Sequence, residues 1–248
     1  MSSSRPDQRA DFQISQDVAP SDTLIAGFSH FGLAGLTAVD YLVDHLELEE
    51  TGHVTTSDLP SITPFENGVP RHHSRLFSRA DIDVTVLVNE LFIPVWAADQ
   101  FSNAILRWTD ENDVEEITVL SGIPIPHGPD DHRAFYVATP DYHDKRLTDV
   151  DIPPMGNGFL DGINASLIDR GMESDLRAGV FITPVHAQAP DVEAALRLLD
   201  AFRSAYDVGI DTEPLETFAA EVQQYYADLA ERLDAVEDTQ HPDDRMYM

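Results

Sequence analysis

The amino-acid sequence predicts an α/β fold in which a single domain contains a mixed, mainly parallel sheet flanked by helices. Three observations lead to this prediction. Segments of strand pattern alternate with segments of helical pattern, the strand segments are almost continuous apolar runs, and 42% of the 248 residues are hydrophobic. Almost continuous apolar strands are typical of sheets that helices cover on both faces. No internal repeat divides the sequence, so we expect one domain over residues 21–212.

The predicted elements follow one another along this domain. Residues 1–20 are polar apart from the alternating run Phe12-Gln-Ile14, so we expect a loosely ordered arm with at most a weak edge strand. Residues 52–77 hold short alternating pieces between Pro and Gly residues, which predicts two or three antiparallel strands. Apolar runs and helical spacing predict strands at Thr23–Phe28, Asp83–Val88, Glu116–Leu120, Arg133–Ala138 and Leu176–Thr183, and helices at Leu36–Leu46, Val95–Trp108, Phe159–Ile168 and Val192–Tyr206.

The C-terminal region predicts a long helix over residues 213–236 and a flexible tail over residues 237–248. Asp211 or Thr212 is expected to cap the helix, and Pro214 suits its first turn. The apolar residues of this helix recur at steps of three and four: Leu215, Phe218, Val222, Tyr225, Leu229, Leu233 and Val236. This stripe either packs against the parent domain or joins subunits, and the quaternary state that we expect is a homo-oligomer.

The charge of the chain argues against two classes of partner. With 45 acidic and 15 basic side chains the net charge is −30, which repels nucleic acid and anionic membrane surfaces alike. The acidic residues are dispersed, and Lys145 is the only lysine. This surface is typical of salt-adapted cytoplasmic proteins, because about 1 M salt screens charges beyond roughly 3 Å. The alternative is an acidic docking face for a basic partner.

Composition also indicates the compartment. No window reaches the roughly 18 apolar residues of a membrane-spanning helix, and the N-terminal residues lack the apolar core of a secretory signal. The absence of cysteine excludes disulfides, thiolate metal sites and cysteine nucleophiles. We therefore expect a cytoplasmic protein.

Several short motifs resemble a known family. The segment Leu24-Ile-Ala-Gly-Phe-Ser-His-Phe-Gly-Leu-Ala-Gly35, followed by Ala38 and Tyr41-Leu42, resembles the opening signature of the proteasome assembly chaperone family, in particular the archaeal relatives of proteasome assembly chaperone 2. Further landmarks follow in the family's order: Ser121-Gly-Ile-Pro124, Gly156-Asn-Gly158, Leu160–Leu167, Ile182-Thr-Pro184, Pro190-Asp191 and Gly209-Ile-Asp211. Pro124 stands near a position where the family often has glycine.

The resemblance implies a fold like that of nucleoside phosphorylases, used without their chemistry. It further implies a non-catalytic chaperone or regulator that binds proteasome α subunits or the α ring, with no cofactor and no metal. Together with the acidic surface, it suggests a halophilic archaeon as the source.

The glycine turn of this signature has two interpretations. Gly27, Gly32 and Gly35 do not have the spacing of a dinucleotide-binding fingerprint. The backbone N–H groups of the turn and the following helix N-terminus could bind an anion. Alternatively, the small residues allow a strand and a helix to pack closely, and the family resemblance favours this interpretation.

The last three residues form a second motif. Met246-Tyr247-Met248 fits the pattern hydrophobic–Tyr–any residue at a C-terminus, which the resemblance associates with insertion between neighbouring α subunits. The free carboxylate requires a cation, and the tyrosine ring buries apolar area. Residues 237–245 are polar and could span about 30 Å when extended. The alternative is a frayed terminus with an incidental tyrosine.

An enzyme is the alternative from a different functional class. His30, Asn89, Glu90 and Ser121 lie at or near predicted strand ends, where α/β enzymes often place working residues. Glu90 with His30 would be the acid–base pair of a hydrolase or phosphorylase that acts on a small anionic or nucleoside substrate. A third hypothesis is an oligomeric scaffold for an unknown client.

A metal site is the weaker interpretation of a histidine-containing segment. His127-Gly-Pro-Asp-Asp-His132 has two possible ligands, but the sequence offers no matched second cluster. We therefore interpret the segment as a solvated acidic loop.

Overall fold

The architecture is an eight-stranded sheet with helices on both faces, in a computed structural model that describes residues 10–57, 59–128, 131–186, 190–206 and 208–220. The strands are β1 (Asp11–Gln16), β2 (Thr23–Phe28), β3 (Glu49–Ser57), β4 (Phe65–Glu66), β5 (Val69–Pro70), β6 (Ser74–Ser78), β7 (Thr85–Asn89), β8 (Glu116–Ile123), β9 (Phe135–Ala138) and β10 (Arg177–Pro184). The helices are α1 (Ala34–His45), α2 (Val95–Glu111), α3 (Pro140–Arg146), α4 (Gly162–Met172) and α5 (Val192–Tyr206). The chain divides into two units, one ending at Ile210 and one beginning at Asp211.

The sheet is mixed, with the strand order β1-β3-β6-β7-β2-β8-β10-β9. The central strands β7, β2, β8 and β10 run parallel. On the flanks, β1, β3 and β6 pair antiparallel, as does β9 at the other edge. Outside this sheet, β4 and β5 form a small antiparallel hairpin. The predicted α/β class with a mixed sheet is confirmed, and the parallel pairing belongs to the central strands.

Successive side chains of the central strands point to opposite faces of the sheet, and each face is covered by a layer of helices. Leu24 and Ala26 of β2 lie in an apolar cluster with residues of α2 and α4. The next residue, Gly27, faces α1, where an added Cβ would meet the carbonyl oxygen of Gly35 and lie 2.5 Å from Cγ2 of Val39. Helix α5 packs beside α1 in that second layer. Because both faces of the sheet are covered, its central strands are apolar almost throughout.

The N-terminal strand belongs more closely to the domain than the sequence predicts. β1 pairs along its whole length with β3, and Phe12 is 3% exposed. The Phe12 ring meets Phe101 of α2 edge-on, with 5.1 Å between the ring centroids. The indole N–H of Trp108 donates to the Gln16 side chain at 2.7 Å. Residues 11–16 are therefore part of the sheet, because their inward side chains pack against α2.

The remaining predicted elements of the domain occur with small shifts at their ends, and α3 is an additional helix. The antiparallel pairing expected for residues 52–77 is present in β3, β6 and the β4–β5 hairpin. Among the described residues, no helix combines the length and the hydropathy that crossing a membrane requires.

A buried ion cluster lies at the amino end of the central strands. The carboxylate of Glu116, the first residue of β8, is fully buried and accepts hydrogen bonds from Arg146 Nε at 2.8 Å and Arg177 Nε at 3.3 Å. The Tyr206 hydroxyl donates to the same carboxylate at 2.7 Å, and Lys145 Nζ lies 3.4 Å away. One carboxylate is thus shared by three cations, and these ion pairs offset the free-energy cost of removing the carboxylate from water. We call this group the Glu116 cluster.

The second unit is described over residues 211–220, of which residues 213–220 are helical. The Thr212 carbonyl accepts the Glu216 N–H at 2.9 Å, and the Thr212 hydroxyl donates to the Glu216 carboxylate at 2.7 Å. The Asp211 carboxylate accepts the Glu213 N–H at 3.0 Å. Both expected capping residues thus contact the first turn, with Thr212 in the N-cap position. The rest of the predicted helix to residue 236 lies outside the described residues.

Candidate functional site

A crevice of about 580 Å³ opens at the carboxyl ends of the central parallel strands. Three strand ends reach it, at Phe28 of β2, Asn89 of β7 and the Leu120–Ser121 segment of β8. The walls come from the turn before α1, from the start of α2 and from the start of α4. Open α/β sheets bind ligands and partners at this edge because the connecting loops diverge there. The crevice is therefore the candidate functional site.

The walls of the crevice are mostly apolar. Its lining includes Phe28, Leu33, Ile93, Ala98, Leu120 and Ile163. Three further lining residues, Phe31, Phe92 and Val95, have 46%, 66% and 78% of their surface exposed. We call these three residues the apolar rim. Exposed apolar side chains that are grouped in this way mark surfaces that contact a partner or ligand. The crevice is thus shaped to receive an apolar group.

Two of the four candidate catalytic residues have structural hydrogen bonds. Asn89 is fully buried, and its side chain accepts a hydrogen bond from the Ser74 hydroxyl at 2.5 Å and donates to the Leu91 carbonyl at 2.8 Å. The Ser121 hydroxyl accepts a hydrogen bond from the Asn164 amide at 3.0 Å. A serine nucleophile requires a neighbouring base, and among the described residues Ser121 has no hydrogen bond to a histidine or carboxylate. Both residues hold the strand ends in place.

The other two candidates, His30 and Glu90, do not form an acid–base pair in the crevice. His30 lines the crevice and meets Phe31 edge-on, whereas Glu90 is not part of the lining. The Glu90 carboxylate accepts a hydrogen bond from Arg71 Nη2 at 2.9 Å, and Arg75 lies 3.8 Å away. Burial raises the pKa of Glu90, and the two arginines offset part of this shift. The structure therefore brings His30, Asn89 and Ser121 together but leaves Glu90 in a separate ion pair.

The glycine turn is closely packed on all sides. Gly32 has a φ of +64°, and an added Cβ there would lie 2.9 Å from the Cβ of Val185. An added Cβ at Gly35 would meet the carbonyl oxygen of Leu120. Together with Gly27 against α1, these contacts explain why the turn has no side chains at the three positions. The contacts agree with the interpretation in which the small residues allow the strand and the helix to pack closely.

The segment from His127 to His132 gains a third histidine in the fold. His186, which follows β10, lies beside both, and one ligand atom of each of the three side chains lies within 4.8 Å of the others. A metal site was the weaker interpretation of this segment because the sequence offers no matched second cluster, and the pairing of β8 with β10 brings a third histidine beside it. His72, by contrast, stacks face to face on His53 with 3.7 Å between the ring centroids.

The last predicted motif, Met246-Tyr247-Met248, lies outside the described residues, as does the tail over residues 237–248. The rim residues were not predicted. Phe92 and Val95 belong to the apolar run Leu91-Phe-Ile-Pro-Val95 from the end of β7 to the first turn of α2, in which Leu91 is buried and Phe92 and Val95 are exposed. This short apolar run between two elements is the signal that could have identified them.

The sequence as a whole identifies the family. The PAC2 family model matches residues 24–230, which is most of the chain. The chain belongs to the PAC2 family. This confirms the resemblance that the opening signature suggested. A comparison of the PAC2 protein with curated protein sequences finds no significant match.

Solved structures share the fold of this PAC2 protein. The crystal structure of PbaA from Pyrococcus furiosus, an archaeal homolog of proteasome-assembly chaperone, superposes with a TM-score of 0.80 at 16% identity, covering 92% of this chain and 96% of PbaA. PbaB of the same organism, an archaeal proteasome activator, gives 0.73 at 16% identity, covering 89% and 99%. A Thermoplasma acidophilum protein of unknown function gives 0.72 at 24% identity, covering 91% of each chain. These likenesses establish the fold, while the relation to nucleoside phosphorylases stays a prediction.

Proposed function

We propose that this PAC2 protein is a non-catalytic chaperone or regulator of the proteasome, which binds α subunits or the α ring of the core particle. Two findings support the proposal. The chain belongs to the PAC2 family, and it has the fold of PbaA and PbaB, described respectively as a homolog of proteasome-assembly chaperone and as a proteasome activator. The function would be carried out in the cytoplasm and would need no cofactor.

The observation that carries the proposal is the chemistry of the crevice. A catalytic serine requires a neighbouring base, but among the described residues Ser121 has no hydrogen bond to a histidine or carboxylate, and Glu90 lies outside the crevice. A binding surface requires exposed apolar groups around a preformed recess, and Phe31, Phe92 and Val95 provide them. Such anchors dominate binding energies when a partner covers them. We assign the apolar rim to the contact with an α subunit.

Charge explains why this contact would be apolar. A chain with a net charge of −30 in concentrated salt gains little from surface ion pairs, because they are screened. Apolar burial does not depend on charge, and excluded salts strengthen it. We propose that the dispersed acid reflects adaptation to a halophilic cytoplasm, so that specificity rests on the rim and on the tail.

The tail would supply a second contact. We propose that Met246-Tyr247-Met248 inserts between neighbouring α subunits, with the terminal carboxylate bound by a cation of the pocket. A three-residue contact is weak by itself. A homo-oligomer that presents several tails to one ring would gain affinity through effective concentration, provided that the tails can reach their pockets together. Residues 213–236 are the segment that would join the subunits.

Co-purification with the core particle tests both contacts. The full chain, a variant without residues 246–248 and the double variant Phe92→Ala/Val95→Ala would each be incubated with core particle in about 2 M KCl. We expect deletion of the tail to abolish or sharply weaken capture. We expect the rim variant to weaken it at least about tenfold, since two truncated anchors at more than about 1 kcal/mol each exceed the roughly 1.4 kcal/mol of a tenfold change.

A matched control is available on the β4–β5 hairpin. Phe65 and Val69 are 73% and 65% exposed and lie outside the crevice lining. The variant Phe65→Ala/Val69→Ala removes the same side chains from another surface and should leave capture unchanged. Full retention by the tail-deleted chain would refute the tail assignment. Equal loss in the hairpin and rim variants would refute the assignment of the rim.

A further inference from the structure

Three histidines from two connections meet at the carboxyl edge of the sheet. His127 follows β8, His132 precedes β9 and His186 follows β10. The ring centroid of His127 lies 5.0 Å from that of His132 and 5.1 Å from that of His186, and the other two centroids are 6.1 Å apart. One ligand atom of each side chain lies within 4.8 Å of the others.

The hydrogen bond of His127 determines which of its nitrogens is available. Nδ1 lies 2.7 Å from the carbonyl oxygen of Ile125. A carbonyl only accepts, so Nδ1 carries the proton and Nε2 of the neutral ring presents a lone pair. This Nε2 atom is buried and has no hydrogen-bond partner within the described part of the chain. Buried polar atoms in folded proteins almost always have a partner, so the position requires an explanation.

His186 is oriented by a buried carboxylate. Its Nδ1 lies 3.0 Å from Oδ2 of Asp191, whose side chain is 5% exposed. Asp191 also accepts the backbone N–H groups of His186 and Ala194, at 2.8 and 2.9 Å, so the carboxylate is fixed in place. A carboxylate on one ring nitrogen leaves Nε2 for a second partner, which is how proteins orient metal-binding histidines.

We propose that His127, His132 and His186 bind one divalent transition-metal ion, and that the ion is Zn²⁺. Imidazole nitrogens suit zinc, whereas Mg²⁺ and Ca²⁺ require oxygen ligands. Three protein ligands leave the fourth tetrahedral position to water or to an exogenous group. Zinc–nitrogen bonds of about 2.0–2.1 Å require the three nitrogens to approach one another. His132 and His186 are exposed, so their side chains have space to rotate inward.

The ion would tie two connections together beside the crevice. It joins the segment after β8 to the segment between β10 and α5. The second segment is already attached to the glycine turn, because the Asp191 N–H donates to the Gly32 carbonyl at 2.8 Å. Pro190 in the same segment lines the crevice. The site is therefore independent of the proposed proteasome contact, yet it would stiffen one wall of the crevice.

Calorimetric titration of the untagged full chain with ZnCl₂, after removal of metals by a chelator, tests the proposal. A tenfold excess of Mg²⁺ over zinc, in concentrated KCl, would occupy weak acidic sites on the surface. We expect one equivalent of zinc to bind. We expect X-ray absorption of the zinc-loaded chain to give a first shell that contains three imidazole nitrogens. A first shell dominated by oxygen would overturn the assignment.

Variants locate the site. His132→Ala removes one proposed ligand and leaves the hydrogen bonds of His127 and His186 in place. Loss of a residue that merely hydrogen-bonds to a metal ligand typically costs about 10–100-fold in affinity, so His132→Ala should weaken zinc binding by more than that. Asp191→Asn should weaken it by about 10–100-fold, with circular dichroism to verify folding. His72→Ala, from the histidine pair that stacks elsewhere, is the matched control and should bind zinc as the parent chain does. Unchanged zinc binding in His132→Ala would overturn the proposal.

Discussion

Replacement of Glu116 by alanine should strongly destabilise the unit that ends at Ile210. The carboxylate is fully buried and contacts Arg146, Arg177, Lys145 and the Tyr206 hydroxyl. Its removal leaves these groups without the acceptor for which they are positioned. Breaking a buried ion pair by deletion of one partner typically costs about 3–5 kcal/mol.

The structure places the expected value at the lower end of that range. The side chains of Arg146 and Arg177 are 20% and 21% exposed, so water can solvate part of each guanidinium after the substitution. The Tyr206 hydroxyl keeps its contact with Thr118. We therefore expect a loss of about 3 kcal/mol in the free energy of unfolding. At roughly 2–4 °C for each kcal/mol in a domain of this size, the melting temperature should fall by about 6–12 °C.

The neighbouring residue provides the control. Glu115 also pairs with Arg177, at 2.8 Å, but its side chain is 60% exposed. Exposed pairs of this kind contribute little, so Glu115→Ala should leave the melting temperature nearly unchanged. Calorimetry or denaturant unfolding would be performed at about 0.5 and 3 M KCl. The deficit of Glu116→Ala should persist in high salt, because buried pairs are poorly screened. Equal effects of the two substitutions, or a deficit that disappears in salt, would refute the reasoning.

Two further predictions concern the close packing at Gly35 and the buried phenol of Tyr142. Gly35→Ala should destabilise the fold by about 1–3 kcal/mol, because the new Cβ would meet the Leu120 carbonyl, whereas Gly158→Ala, which has open space around it, should not. Equal melting temperatures for the two variants would contradict this. Burial raises the pKa of Tyr142 above its ordinary value of 10.0, so the stability that its neutral phenol provides is present below pH 10 and is lost as the pH rises through the raised pKa. Tyr142→Phe should therefore lower the free energy of unfolding in urea by about 1 kcal/mol at pH 7. The difference in stability between the parent chain and this variant should shrink at about pH 11. A difference that does not change with pH would argue against a buried neutral phenol.

Much of the fold is encoded in local patterns. The apolar run from Thr23 to Phe28 forms β2 with the predicted bounds, and the helical spacing after Val95 forms α2. Helix α3 escaped detection because it has only seven residues and buries mainly Tyr142. A local signal was nevertheless present, since Thr139 in the N-cap position followed by Pro140 in the first turn is typical of a helix start.

The site was harder to predict because it depends on which strands become neighbours. His186 joins His127 and His132 only because β10 pairs with β8, a contact that no local pattern reveals. The separation of Glu90 from the crevice was predictable in principle. Adjacent residues in extended backbone point to opposite sides, so Asn89 and Glu90 do not readily line the same recess. The burial of Phe12 depends on α2 and could not be derived from the N-terminal residues.

The single lysine in the Glu116 cluster makes the chain unusual as a target for amine-reactive reagents. Apart from the α-amino group, an acylating dye or crosslinker has only Lys145 to modify, and that ammonium is held 3.4 Å from a buried carboxylate. The lysine side chain is 39% exposed, so a reagent can reach it without any opening of the sheet. Mapping the surface by crosslinking therefore calls for carboxylate-directed reagents, for which the chain offers abundant sites.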